Sequence, residues 1–249
     1  MNIIWTISDN DIRKVHDFIA QNTNPFVEYR ISKNINRNKN KVDRNSILKN
    51  VIMCLLTSQQ RSGPNSPIGI FLRKKPFPLT EQNISQQNDI ENFIRITLQQ
   101  NGLNRFINRI PNYFASNYNR LKNSNWEIVN DLTNKLDGNA SKEIERAVAD
   151  NVHDTFIGFG PKQSRNILQS LGLTKYEIPI DSRITDWLND FGFPVRLSAT
   201  SLQDKEYYHF ISDGIQVLCH HAKIYPCVLD AAIFSSYDNN TWTMENKIY

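Results

Sequence analysis

Apolar positions recur at three- and four-residue steps along most of the chain, which is the period of an amphipathic helix. The stretch 12–19 shows this spacing after Ser8 and Asp9, two residue types that cap helix N-termini. The stretch 47–56 shows it again after Ser46. Both stretches are therefore predicted to be helices.

The same pattern continues to the C-terminal part of the chain. An apolar stripe over 90–98 stops at Gly102, and the next stripe, over 106–114, is interrupted by Pro111. Further segments with a helical stripe or a cap are 126–136, 141–152, 162–171, 182–191, 205–221 and 227–236. No run of alternating β-branched residues flanks an Asn-Gly or Asp-Gly turn. We therefore expect an all-α fold of about ten helices.

Composition narrows the class of protein but not its function. The 249 residues are 39% hydrophobic and 22% charged, which excludes disordered, collagen-like and disulfide-stapled chains. Lys and Arg number 29 against 25 Asp and Glu, so the formal net charge is +4. Such a mild excess permits an anionic partner such as nucleic acid without requiring one.

The chain offers no recognisable metal site. Its three cysteines are Cys54, Cys219 and Cys227. Their spacing matches neither a zinc pattern nor the four thiolates of an iron–sulfur cluster, so we expect buried thiols in a reducing compartment. His220 and His221 precede Asp230, but adjacent helical side chains point about 100° apart. We expect neither a metal nor an iron–sulfur cofactor.

Two segments bear on localisation and on flexibility. Residues 1–7 lack the basic start and apolar stretch of a signal peptide, and no apolar run reaches about 18 residues. We therefore expect a cytoplasmic protein without a membrane span. The Asn-rich segment 32–45 is interpreted as a long loop or mobile arm.

The most informative segment is 156–162, FIGFGPK, which lies between two predicted helices. Gly158 and Gly160 permit positive φ and leave backbone N–H groups uncovered where the second helix begins. Pro161 suits a first helical turn. The segment is thus a candidate phosphate cradle, although an ordinary turn between packed helices is the commoner explanation of two such glycines alone.

Lys162 and Asp181 follow this turn and are separated by 181 − 162 = 19 residues. A partly buried lysine in a first helical turn loses proton affinity and becomes a nucleophile. Asp181 precedes a predicted helix, where N–H groups hold a capping carboxylate ionised. Taken separately, a surface lysine and a simple cap explain the two residues; together they suggest a catalytic pair.

The stretch GFGPKQSRNILQSLGLTKYEIPIDSRI resembles the helix-hairpin-helix and Gly/Pro-Asp signature of base-excision DNA glycosylases. The upstream segment NVIMCLLTSQQRS resembles the helix before the pocket in that family. The lysine, the Pro179-Ile180-Asp181 sequence and the 19-residue spacing are most similar to 8-oxoguanine DNA glycosylases. The endonuclease III branch carries a four-cysteine iron–sulfur cluster that this chain lacks the cysteines to build.

The resemblance implies two helical subdomains that flank a cleft. The first would be a helical barrel over 46–174 that contains the hairpin motif at about 141–172; the second would combine 1–45 with 175–249. It implies a monomeric, nucleoid-associated enzyme that binds double-stranded DNA containing a damaged base. It also implies a monovalent cation on the hairpin carbonyls.

The implied activity is removal of 8-oxoguanine with cleavage at the resulting abasic site. Lys162 would attack C1′ of the flipped nucleotide and form a Schiff base, while Asp181 stabilises positive charge and β-elimination nicks the strand. Gly158 and Gly160 would hold the DNA backbone. Arg183 follows the aspartate where the family often has histidine, and it is a candidate phosphate-binding cation.

Each of the remaining residues that are candidates for DNA contact has a second, purely structural interpretation. Gln59 and Gln60 would fill the space left by the flipped base or contact the orphan cytosine, or they cap a helix end. Candidate stacking partners for the base, each of which a core position also explains, are Phe26, Trp187, Phe234 and Trp242. Two alternative functions stay open: a lyase-type glycosylase for another oxidised base, and a nonenzymatic DNA-binding module that uses the hairpin as a phosphate clamp.

Overall fold

The computed structural model describes residues 4–37, 42–60, 62–238 and 241–246. Within these ranges the chain forms helices and no β-strand, which confirms the all-α class. The α-helices are α1 Asp9–Asn22, α2 Pro25–Arg30, α3 Arg44–Leu56, α4 Pro67–Leu72, α5 Glu81–Ser85, α6 Ile90–Gln100, α7 Ile110–Asn123, α8 Glu127–Lys135, α9 Lys142–Thr155, α10 Pro161–Ser170, α11 Ser182–Phe191, α12 Lys205–His221 and α13 Pro226–Ser236. A π-helical turn, Ile31–Ile35, follows α2, and a 3₁₀-helix, Ala199–Gln203, precedes α12.

Local capping chemistry explains where several helices begin. Ser8 caps α1 in a reciprocal capping box with Asp11. Ser141 caps α9, and Asp204 caps α12. The long predicted helices therefore occur close to their expected bounds.

Two predicted details are wrong. Asp43 caps α3 and Ser46 occupies its third position, so the helix begins earlier than expected. Pro111 lies in the first turn of α7 and does not interrupt it, because its missing N–H has no partner to lose there. The helices α2, α4 and α5 were not predicted, since elements of five or six residues show too little of the helical period.

The interpretation of the Asn-rich segment as a long loop or arm is also wrong for its described part. Residues 31–35 continue α2 as a π-helical turn, and α3 begins at Arg44. Asn34 is buried, and its amide donates to the carbonyls of Gln169 at 2.8 Å and Thr174 at 2.7 Å. Buried amides of this kind need such partners, so the asparagine anchors the segment. Residues 38–41 lie outside the described residues.

The helices pack in two groups around one continuous apolar core. The helices α3 to α10 pack mainly on one another, with α3 against α4, α5, α7 and α10. The second group, α1, α2, α11 and α12, packs around α13. The division at residues 46 and 174 remains a prediction, but the helix that carries Lys162 and the helix that Asp181 caps belong to different groups.

The core contains all three cysteines as free, buried thiols, as predicted. Burial raises the pKa of each thiol above its usual range. Among the described helices, none is both long enough and apolar enough to cross a membrane.

Candidate functional site

The turn over 156–160 joins α9 to α10, and Gly158 is the residue of this turn that no other residue type can replace without strain. Gly158 has φ = +83°, a conformation that L side chains rarely adopt. A Cβ there would lie 2.5 Å from Tyr113 Cδ2 and 3.0 Å from Leu55 Cδ2. Both the backbone angle and the packing against α7 and α3 therefore require glycine at this position.

Gly160 has a different role from the one expected. Its φ is −87°, so it does not use the left-handed region, and the predicted use of positive φ is wrong for this residue. It is the N-cap of α10, and it offers no side chain to cap the first turn. The N–H groups at the start of α10 consequently have no side-chain acceptor from Gly160 and lie next to Lys162.

The hairpin is held to the neighbouring helices through its carbonyls. Asn117 of α7 donates from Nδ2 to Ile157 O at 2.9 Å and accepts from Ile157 N at 2.8 Å. His153 Nδ1 lies 2.9 Å from Phe159 O. These contacts tie two hairpin carbonyls to side chains of neighbouring segments, and the expected cation on the hairpin carbonyls stays a prediction.

Lys162 and Asp181 meet across the junction of the two helix groups. Lys162 Nζ lies 3.1 Å from Asp181 Oδ2, and the two side chains are 28% and 13% exposed. Asp181 is the N-cap of α11, and its Oδ1 accepts from Arg183 N at 3.0 Å. The structure thus brings together the two residues that the sequence analysis paired, and it confirms the predicted cap.

Asp181 is held as a carboxylate. Burial opposes its ionisation, but the charges of Lys162 and Arg183 outweigh burial and hold its pKa well below its usual range. The Arg183 guanidinium also donates to both carboxylate oxygens. A carboxylate of this kind stabilises positive charge and is a weak proton acceptor while both cations are present.

A cavity of about 30 Å³ lies beside this ion pair. Its walls come from α2, α10, α13, the start of α11 with its cap, and the turn after α3, and its lining includes Phe26, Arg30, Asp181, Arg183, Asp230 and Phe234. This volume holds only water-sized molecules, so a larger ligand enters only after side chains move. The Arg183 guanidinium lines the cavity and lies 4.3 Å from the centre of the Phe234 ring.

The four stacking candidates separate into two sets. Phe26 and Phe234 line the cavity, with ring centres 5.3 Å apart. Trp242 packs on the same cluster, 4.5 Å from the Phe26 ring. Trp187 does not line the cavity: it packs against Phe18 and Phe191 at 5.2 Å and 4.9 Å, as a core residue between α1 and α11.

The structure does not bring Gln59 and Gln60 to the ion pair. Gln59 is exposed and has φ = +55° in the turn after α3. Gln60 Nε2 donates to Leu56 O at 2.8 Å, the helix-end contact that was one of its two interpretations. Gln60 also borders a second cavity of about 270 Å³, together with Gly102 and Arg105. DNA contacts of these two amides stay a prediction.

A buried ion pair that the sequence analysis missed lies behind the candidate site. Arg165 Nε donates to Glu177 Oε2 at 2.9 Å, and the side chains are 1% and 0% exposed. Arg165 lies one helical turn after Lys162, and Glu177 lies four residues before Asp181. The same two segments are therefore joined a second time, in the core. In the sequence, the only sign of this second pair is that Arg165 follows Lys162 by three residues while Glu177 precedes Asp181 by four.

The segment before Asp181 is also fixed along its backbone. The buried Tyr208 hydroxyl donates to Ile178 O and accepts from Ile180 N, both at 2.7 Å. The Glu145 carboxylate accepts from the N–H groups of residues 175, 176 and 177. Burial, partly offset by these N–H groups, raises the pKa of Glu145 to about 7. Asp181 is thus presented by a segment with little freedom to move.

Within the described ranges, no group of three or more His, Cys, Asp and Glu side chains is arranged to hold a metal ion. Comparison with models of known protein families finds no match, and a search of the curated proteins finds no relative.

Proposed function

We propose that this protein is a bifunctional base-excision DNA glycosylase and abasic-site lyase that removes 8-oxoguanine. One observation carries the proposal: Lys162 Nζ and Asp181 Oδ2 lie 3.1 Å apart at a cavity beside a glycine hairpin. An amine, a fixed carboxylate and an adjacent uncapped helix N-terminus are the groups that such a reaction on DNA needs.

In the proposed reaction the DNA backbone binds at the hairpin and at the start of α10, and the damaged nucleotide rotates out of the duplex. Lys162 reacts as the free amine, having given a proton to water. Its Nζ forms a bond to C1′ while the bond from C1′ to the base breaks, and the base leaves with the electron pair and takes up a proton from water.

Asp181 remains a carboxylate and stabilises the positive charge that develops on the sugar. Nζ gives a further proton to water, its electron pair expels O4′ from C1′, O4′ takes up a proton, and the opened sugar is held as a protonated imine on Lys162. Transfer of a proton from C2′ to water then breaks the C3′–O bond, the phosphate leaves with the electron pair and the strand is nicked. Water hydrolyses the imine and releases Lys162.

Reduction with borohydride tests this proposal, since it converts the imine to a stable bond between protein and DNA. Wild-type protein with a duplex containing 8-oxoguanine should give a covalent adduct, and Lys162→Ala should give none. Lys122→Ala, at an exposed lysine of α7, is the matched control and should behave as wild type.

The outcomes separate the alternatives. An adduct that persists in Lys162→Ala refutes the assigned nucleophile. Trapping with an oxidised pyrimidine in place of 8-oxoguanine supports the alternative substrate. Salt-sensitive DNA binding without adduct or nicking supports the nonenzymatic module.

A further inference from the structure

Two charged side chains of the cavity have no part in the reaction described above. Arg30 of α2 is 5% exposed, and Asp230 of α13 is 7% exposed. No ion pair joins them within 4.0 Å in the described part of the chain. Buried charges are costly unless they are matched, so two of them in one cavity wall require a reason.

Their hydrogen bonding is incomplete. Asp230 Oδ2 accepts from Gln169 Nε2 at 2.6 Å, and the described residues supply no partner to Oδ1. Arg30 Nη1 donates to Gln169 O at 3.1 Å, whereas Arg30 Nε is buried without a partner. Gln169 thus orients both side chains, and each keeps capacity for a further hydrogen bond.

Flat apolar surfaces adjoin these polar groups. Phe26 and Phe234 line the same cavity, and the Arg30 guanidinium lies 5.5 Å from the centre of the Phe26 ring. An aromatic face beside a donor and an acceptor is the combination that recognises a flipped base by stacking and by its Watson–Crick edge.

We propose that Asp230, assisted by Arg30, determines which base this site accepts, and that it selects bases with a guanine-type edge. This inference rests on the proposed function. A carboxylate accepts from two adjacent donors, and guanine places N1–H and the N2 amine side by side, with the O6 acceptor next to them. Arg30 donates to that acceptor. Adenine and cytosine place an acceptor nitrogen beside their amine. The lone pair of that nitrogen would face a carboxylate oxygen, and the two acceptors repel each other.

The test combines a substrate that lacks the N2 amine with a protein variant that lacks the Asp230 charge. Duplexes containing 8-oxoguanine or 8-oxohypoxanthine, which lacks the N2 amine, are compared in single-turnover excision by wild type and by Asp230→Asn. For wild type, loss of the amine should slow excision at least about tenfold, the effect of one charge-assisted hydrogen bond. For Asp230→Asn the two substrates should differ by less than about threefold.

A second substrate separates recognition from folding and from the chemistry. Nicking of a duplex with a preformed abasic site requires Lys162 but no base, so Asp230→Asn should nick it within about threefold of wild type. Asp131→Asn, at an exposed aspartate of α8, is the control and should match wild type on every duplex.

Full discrimination by Asp230→Asn would overturn the inference, as would loss of its abasic-site nicking, which would make Asp230 a structural residue. Excision of 8-oxoguanine and 8-oxohypoxanthine at equal rates by wild type would also overturn it. A wild-type protein that nicks no abasic duplex instead refutes the proposed function, so the two failures are distinguishable.

Discussion

The two glycines of the hairpin should differ sharply in their tolerance of a methyl group. In Gly158→Ala the new side chain meets a left-handed backbone conformation, which costs about 1–2 kcal/mol, and overpacks against Tyr113 at 2.5 Å, which costs about 1–3 kcal/mol. Alanine also lowers the conformational entropy of the unfolded chain, which offsets about 0.4–1 kcal/mol of this loss in stability. We therefore expect Gly158→Ala to lower the free energy of unfolding by about 3 kcal/mol.

Gly160→Ala is the matched control. At φ = −87° alanine fits the backbone, and the nearest atom to its Cβ is the end of the Gln203 side chain, at 3.2 Å. A flexible amide can move away from a methyl group. The remaining cost is the weaker N-cap preference of alanine, so the loss should stay below about 1 kcal/mol.

Urea unfolding followed by circular dichroism measures both variants, with the slope of the transition compared to exclude a change in the unfolded state. A loss of about 3 kcal/mol corresponds to more than a hundredfold change in the unfolding equilibrium. Equal losses for the two variants, or a loss below about 1 kcal/mol for Gly158→Ala, would refute the structural role given to this turn.

Three further outcomes are expected. Asn117→Ala removes both hydrogen bonds to the Ile157 backbone and should cost about 2 kcal/mol in urea unfolding; an unchanged midpoint would contradict the clamp. Glu177→Gln removes the carboxylate that Arg146 and Arg165 share, leaves Arg165 with Asp150 alone, and should cost about 3 kcal/mol, while the double variant with Arg165→Met should recover part of the loss; a strictly additive double variant would count against this pair. Because the pKa of Asp181 is lowered in the folded protein, its ionisation stabilises the fold above its ordinary pKa of 3.8, and this contribution is lost as the pH falls through the lower folded-state pKa. The difference in unfolding free energy between wild type and Asp181→Asn should therefore shrink below pH 3.8. A constant difference down to pH 2 would disprove the lowered pKa of Asp181.

Sequence patterns predicted the long helices and the Asp181 cap because both are local signals, whereas the Lys162–Asp181 pair was predicted from its 19-residue spacing and from the resemblance to DNA glycosylases. A helix of ten or more residues repeats its apolar stripe several times, and a capping aspartate stands directly before the stripe that it serves. The turn glycine Gly158 was found for the same reason. Its neighbour Gly160 was assigned the wrong conformation, because residue type does not distinguish a left-handed position from an extended N-cap.

Contacts between distant segments were beyond such reasoning. Asn34 is one of many asparagines in a polar run, and only the fold brings it to the carbonyl of Gln169. Asp230 was considered as a metal ligand and set aside, while its place in the cavity depends on how α13 packs on α2. For Trp187 both a stacking role and a core position were predicted as alternatives, and its packing against Phe18 and Phe191 decides for the core.

The two ion pairs that join α10 to the segment before α11 divide the work of the site. Arg165 and Glu177 are sealed in the core, where separation costs each buried charge one of its two ion pairs and leaves Arg165 with Asp150 and Glu177 with Arg146, so this pair sets the spacing of the two segments. Lys162 and Asp181 are partly exposed, so water can replace either partner, and a bound phosphodiester can replace Asp181, at lower cost. In the proposed reaction the inner pair therefore keeps the geometry while the outer pair opens and frees the Lys162 nitrogen to reach a sugar carbon.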